Sequence, residues 1–146
     1  MSEFNAGPKP APARRRTSWA AWLAVIAWMG VIFLLSAQPD LGLTPDRWWS
    51  DLFSWIAHFG EYAVLAALLW LALSRTPALA ERATVIAFLG VTLYSISDEI
   101  HQAFVPNRVS DVRDVIVDVA GALVVLWLLA HRRKMRTMMQ EPPVVD

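Results

Sequence analysis

Hydrophobic positions in this chain do not keep to one helical stripe; they run almost unbroken for about the thickness of a bilayer and then stop. A helix needs roughly 20 residues to cross an apolar layer of about 30 Å. Residues 18–36, SWAAWLAVIAWMGVIFLLS, form the first such run. A second extends from about Asp51 to Leu73 and a fourth from about Asp111 to Ala130. The third is apolar only over 83–97, yet its helix is predicted to continue through Phe104, because Pro106 disfavours helix at Val105. The pattern predicts an all-α, four-helix transmembrane bundle over 18–130.

Composition agrees. The 146 residues are 56% hydrophobic and include eight Trp, too apolar for a soluble domain of this length. Thirteen Lys and Arg balance thirteen Asp and Glu, so no basic face favours nucleic acid as a partner. The lack of cysteine excludes disulfides, thiol nucleophiles and Cys-bound zinc. Ten of the thirteen basic residues precede the first run, follow the fourth or lie between the second and third, with only Arg47, Arg108 and Arg113 elsewhere. The positive-inside rule then places both termini in the cytoplasm and the first and third connections outside. Residues 1–17 read as a disordered basic tail, and 131–146 as a basic and then flexible one. A cleaved signal peptide is disfavoured, because the first apolar run exceeds the usual 7 to 15 residues. Trp48, Trp49 and Trp55, with Arg47, suit the outer interface, where indole rings settle.

The polar residues gather at the outer ends of the last three runs. Counting about 1.5 Å per residue from those ends places His58, Asp98 and Asp118 all roughly 10 Å deep. His58 and Glu61 are three apart, as are Asp98 and His101, while Asp111, Asp114 and Asp118 follow a three-then-four spacing, so each set is assigned to one helix face. Ionisable groups at this depth normally face a bundle interior or a wet cavity. The bland alternative is that a His and an Asp simply bond two helices together, at about 0.6 to 2 kcal/mol per contact. Glu61 has Arg108 and Arg113 as candidate partners. Ser110 suits an N-cap, and Asp111 reads as a capping residue.

HFGEYAVLAALL in the second run, DEIHQAFVPNR and then SDVRDVIVDVAGAL resemble the VanZ-like family of small bacterial membrane proteins over residues 54–127. That resemblance implies a helical bundle in a bacterial plasma (inner) membrane, and a link to lowered glycopeptide susceptibility. Its matching positions are His58, Tyr62, Asp98, Glu99, His101, Gln102, Pro106, Arg108, Asp114 and Gly121. Three positions depart from the family's habit: Trp55 stands where a Lys is common, Asn107 where Gly is usual, and Asp118 where Asn is common.

Three functional readings compete. In the first, an outward pocket acts on or binds an envelope lipid or lipid-linked substrate, with His58, Glu61, Asp98, Glu99, His101 and Asp114 as acid–base candidates. Tyr62, Gln102, Arg108 and Asp118 are then its binding residues, Arg108 clamping an anion such as a phosphate. A divalent metal is a lesser expectation within that reading, since Asp98 and His101 at i, i+3 echo the Glu-x-x-His pairs of bundle metal sites. The second is a small ion- or proton-coupled transporter through Glu61. The third is a non-catalytic membrane component in which the polar cluster serves folding, close contacts being made at Ala20, Ala24, Ala63, Ala67 and Gly121. The reaction and the oligomeric state stay open.

Overall fold

A computed structural model describes residues 19–39 and 47–140. Four α-helices follow in order, α1 (Trp19–Ser36), α2 (Arg47–Ser74), α3 (Ala83–Gln102) and α4 (Val112–Gln140), with a single 3-10 turn, Ala80–Arg82, leading into α3. The described residues contain no strand. Trp19–Ser36, Trp48–Ser74 and Ala80–Gln102 are long and apolar enough to cross a membrane. In α4 the apolar stretch carries Asp114 and Asp118 near its start and runs into Arg132, Arg133 and Lys134. The tail 1–17, Asp40, Asp46 and the side chain of Arg47 lie outside the described residues.

Several boundaries differ from the sequence expectation. α2 begins at Arg47 instead of Asp51, because nothing in RWWS breaks a helix. α3 stops at Gln102, two residues short of Phe104. Ahead of Pro106 the backbone tightens into turns, Phe104 N bonding His101 O and Val105 N bonding Gln102 O. α4 runs ten residues past Ala130, through residues 137–140 that read as flexible tail. Arg, Lys, Met and Gln are good helix formers, and no Pro occurs between Pro106 and Pro142.

α2 packs against all three other helices and meets α4 most extensively. Gly121 makes that contact close: a Cβ there would sit 2.4 Å from the backbone oxygen of Phe59. α1 is apolar on every side, the signature of a helix with lipid around it, and turns Leu23, Ile26, Phe33 and Leu34 outward. Hydrogen bonds strap it to the rest: Trp28 Nε1 donates to Glu61 O at 2.9 Å and Tyr94 Oη to Met29 O at 2.7 Å. Near the opposite end Trp70 Nε1 donates to Thr84 Oγ1 at 3.1 Å, tying α2 to α3.

The buried side of each helix changes chemistry along its length. On α3 it reads Ala83, Ala87, Val91, Ser95, Asp98 and Gln102. On α4 it reads Leu126, Ala122, Asp118 and Asp114, and on α2 Leu73, Ala66, Tyr62 and His58. Because α2 and α4 run opposite to α3, the polar members collect at one end of the bundle. Ser36, the last residue of α1, is buried at that end too.

Candidate functional site

His58 is the hub of the polar end. It is 5% exposed, and its Nδ1 lies 3.0 Å from Asp118 Oδ1, while Nε2 is 3.9 Å from Asp114 Oδ2. Asp114 and Asp118 are one helical turn apart, so a single face of α4 offers a carboxylate to each edge of the ring. Ser95 Oγ donates to the second oxygen of Asp118 at 2.6 Å, so this 1%-exposed carboxylate joins α2, α3 and α4. Asp118 thus engages Nδ1, while Nε2 faces Asp114 without closing a hydrogen bond.

A second chain of bonds runs along α3. Gln102 Nε2 donates to Asp98 Oδ2 at 3.0 Å, and Arg108 Nε donates to Gln102 Oε1 at 3.0 Å. The connection after α3 brings Arg108 back to make this contact. Arg108 N bonds Val105 O at 3.2 Å, closing a turn with Pro106 second and Asn107 third. Asn107 has φ 61°, the left-handed conformation that the third position of a type II turn requires. Gly adopts that conformation freely, and Asn is among the few other residues that tolerate it.

Two cavities open at this end. One of about 270 Å³ lies between α1, α2 and α3, lined by Leu35, Ser36, Ser54, Ala57, His58, Glu61, Asp98, Gln102 and Arg108. The other, about 520 Å³, has Asp51, Trp55, Val109, Asp111, Arg113 and Asp114 in its wall. Ser54, Gln102 and Arg108 border both. Among the described residues the ion pairs are those of His58 alone, so neither Arg108 nor Arg113 pairs with Glu61.

The remaining expected site residues lie elsewhere. Glu99 lines neither cavity; its Oε2 accepts Ser110 Oγ at 2.8 Å and Asp111 N at 2.9 Å, fastening the start of α4. Ser110 is thus spent on Glu99, and the cap is Asp111, whose Oδ1 accepts Arg113 N at 2.9 Å. His101 turns toward α1 and stacks on Phe33, ring centroids 4.5 Å apart, with Nε2 buried and unbonded. Residues three apart on a helix diverge by about 60°, enough here to send His101 and Asp98 to different neighbours. Tyr62 is wholly buried beneath the cavity, neighbouring Asp98 without closing a hydrogen bond. Asp118 is likewise sealed inside the bundle. Of the four residues expected to bind ligand, Gln102 and Arg108 alone reach a cavity wall.

Among the described residues, no group of three or more His, Asp or Glu side chains is arranged to hold a metal ion. Asp114 and Asp118 approach different nitrogens of His58 and do not converge on one point, while Asp98 and His101 face apart. Sequence reasoning passed over Ser36 and Ser54. Ser54 precedes His58 by one helical turn, and that spacing is the signal that marks it.

A comparison with curated proteins and with solved structures gave no match. The VanZ/LLP1 family profile matches residues 21–133, from the first turn of α1 to the basic residues of α4. With the match covering all four helices, this chain belongs to the VanZ/LLP1 family.

Proposed function

We propose that the polar end of the bundle binds a phosphate-bearing headgroup of a cell-envelope lipid or lipid-linked substrate, with Arg108 as the anion contact. In this reading the protein lies in a bacterial inner membrane with both termini cytoplasmic, α4 crosses as the fourth span, and the cavities face outward. Glycopeptide susceptibility changes through the lipid that is held. The observation that carries the reading is the place of Arg108. It borders both cavities, its Nε is committed to a neutral Gln102, and no carboxylate lies within 4.0 Å of it among the described residues. A guanidinium kept off nearby carboxylates retains its paired N–H edge for an oxyanion. His58, with Nδ1 anchored and the ring at the cavity wall, supplies acid–base capacity to whatever is bound.

A path through the membrane has no comparable support. Beyond Glu61 the core is Leu65, Ala66, Val91 and Leu126, all buried and apolar.

The test is binding of phosphatidic acid to the full chain in neutral detergent, followed by native mass spectrometry. A charge-assisted hydrogen bond contributes about 1.5–3 kcal/mol. Arg108→Gln should therefore weaken binding at least tenfold while leaving the thermal melt in place. In cells the same variant should lose any effect on glycopeptide susceptibility. Unchanged phosphatidic acid binding in Arg108→Gln overturns the reading.

A further inference from the structure

The smaller cavity brings acidic and basic side chains together without pairing them. Glu61 and Asp98 border it with Arg108, and the carboxylate of Glu61 takes part in no hydrogen bond or ion pair among the described residues. Asp98 accepts only the neutral amide of Gln102. Gln102 acts as a spacer, since its oxygen takes the Arg108 Nε–H and its nitrogen serves Asp98, holding the guanidinium and the carboxylate one residue apart. An ion pair within the site would be the cheaper arrangement in apolar surroundings. We infer that the ligand is a zwitterion, an aminoalkyl phosphate whose phosphate rests on Arg108 and whose ammonium rests between Glu61 and Asp98. This rests on the phosphate reading above and adds the amine.

Three further observations fit the amine. Ser36 Oγ is buried, borders the cavity and has no partner, so a polar acceptor waits on the α1 side. Ser36 is also the last residue of α1, and the carbonyl end of a helix favours a cation. Gln102 bonds both Asp98 and Arg108, so one amide side chain separates the carboxylate from the guanidinium, a gap of the kind that a two-carbon aminoalkyl phosphate bridges. A purely anionic headgroup such as phosphatidic acid would keep the Arg108 contact but set its phosphate beside two acidic side chains, and so bind more weakly than a zwitterion, while a neutral sugar would leave Arg108 and Glu61 without a charged partner.

Native mass spectrometry of the full chain in dodecyl maltoside can compare phosphatidylethanolamine with phosphatidylglycerol of the same acyl chains. The expected result is at least a tenfold preference for phosphatidylethanolamine. Glu61→Gln should bring the two lipids to near parity, and Asp98→Asn serves as the second variant should Glu61→Gln fail to fold. Arg108→Gln should weaken both lipids together. Equal binding by the unaltered chain, with no change of ratio in Glu61→Gln or Asp98→Asn, overturns the zwitterion. The phosphate reading then still stands if Arg108→Gln weakens both lipids, and both fall if it weakens neither. Soluble O-phosphoethanolamine separates the two sources of this chemistry. Displacement of lipid by it, but not by ethyl phosphate, assigns the site to a free aminoalkyl phosphate, and failure to displace bound phosphatidylethanolamine assigns it to the lipid.

Discussion

On α3 the side facing the other helices carries Ala83, Ala87 and Val91 at one end and Ser95, Asp98 and Gln102 at the other. The first group packs by contact alone, with Ala66, Leu65 and Leu126 opposite. In a bilayer such contact gains no hydrophobic free energy over lipid, so this half is held by small residues that let backbones approach, with the Trp70–Thr84 bond at its edge. The second group is held by bonds with direction: Ser95 and His58 on Asp118, Gln102 on Asp98, and Arg108 on Gln102. Contact packing leaves little room, whereas side chains that reach out for partners leave space between them. Both cavities open among the bonded residues. Polar groups in this bundle therefore do two jobs, sealed ones joining helices and bordering ones facing open volume.

The largest effect should come from Asp118. Removing its carboxylate strands His58 Nδ1 and Ser95 Oγ in a buried place, and breaking a buried pair from one side costs about 3–5 kcal/mol. Asp118→Asn keeps an oxygen for Ser95 and should cost less. Unfolding in mixed micelles measures both, with Val91→Ala as the control from the apolar half. A loss in Asp118→Ala no greater than that in Val91→Ala would mean that both halves are held in the same way.

How much of this was legible in the sequence differs between the halves in the same manner. Contact packing follows from apolar run length, and run length predicts α1 to within a residue and α2 and α3 to within four at each end. Equal depth for His58 and Asp118 followed from counting residues along two helices, and these side chains meet at 3.0 Å. Counting could not assign bonds, because a hydrogen bond depends on rotamer and azimuth as well as depth. Glu99 and His101 sit beside Asp98 in the chain, yet one fastens the start of α4 and the other stacks on α1. The turn at Asn107 was equally hidden. A Pro-Asn pair announces a turn, but not that the turn swings Arg108 back onto Gln102.

Gly121 lies where the two halves join, and a second glycine gives it a scale. A Cβ at Gly121 would meet the Phe59 backbone oxygen at 2.4 Å, and neither helix has a flexible atom there to yield. Gly121→Ala must push α4 away from α2, at about 1–3 kcal/mol for overpacking. It should also lengthen the His58–Asp118 contact next to it. At Gly90 in the apolar half the nearest atom is Leu69 Cδ2 at 3.0 Å, the mobile end of a side chain, and Gly90→Ala should be close to neutral. The His58 ring resonances report the difference, shifting in Gly121→Ala and staying put in Gly90→Ala. Equal behaviour of the two variants would remove the close α2–α4 approach as the feature that sets the hub.

The smallest effect separates the position of Arg108 from the strength of the bundle. A β-branched residue at 107 is forced out of the left-handed region that Asn107 occupies, so Asn107→Val should cost about 1–2 kcal/mol. Asn107→Gly adopts the same φ without strain and should match the unaltered chain. The strain lies in an exposed connection, and no residue of the Asp118 knot changes. Asn107→Val should therefore lower phosphatidic acid binding, as Arg108 leaves Gln102, while the melt moves by only a few degrees. Binding that survives Asn107→Val intact would mean that Arg108 finds the cavity wall without its turn, and that the Gln102 contact alone positions it.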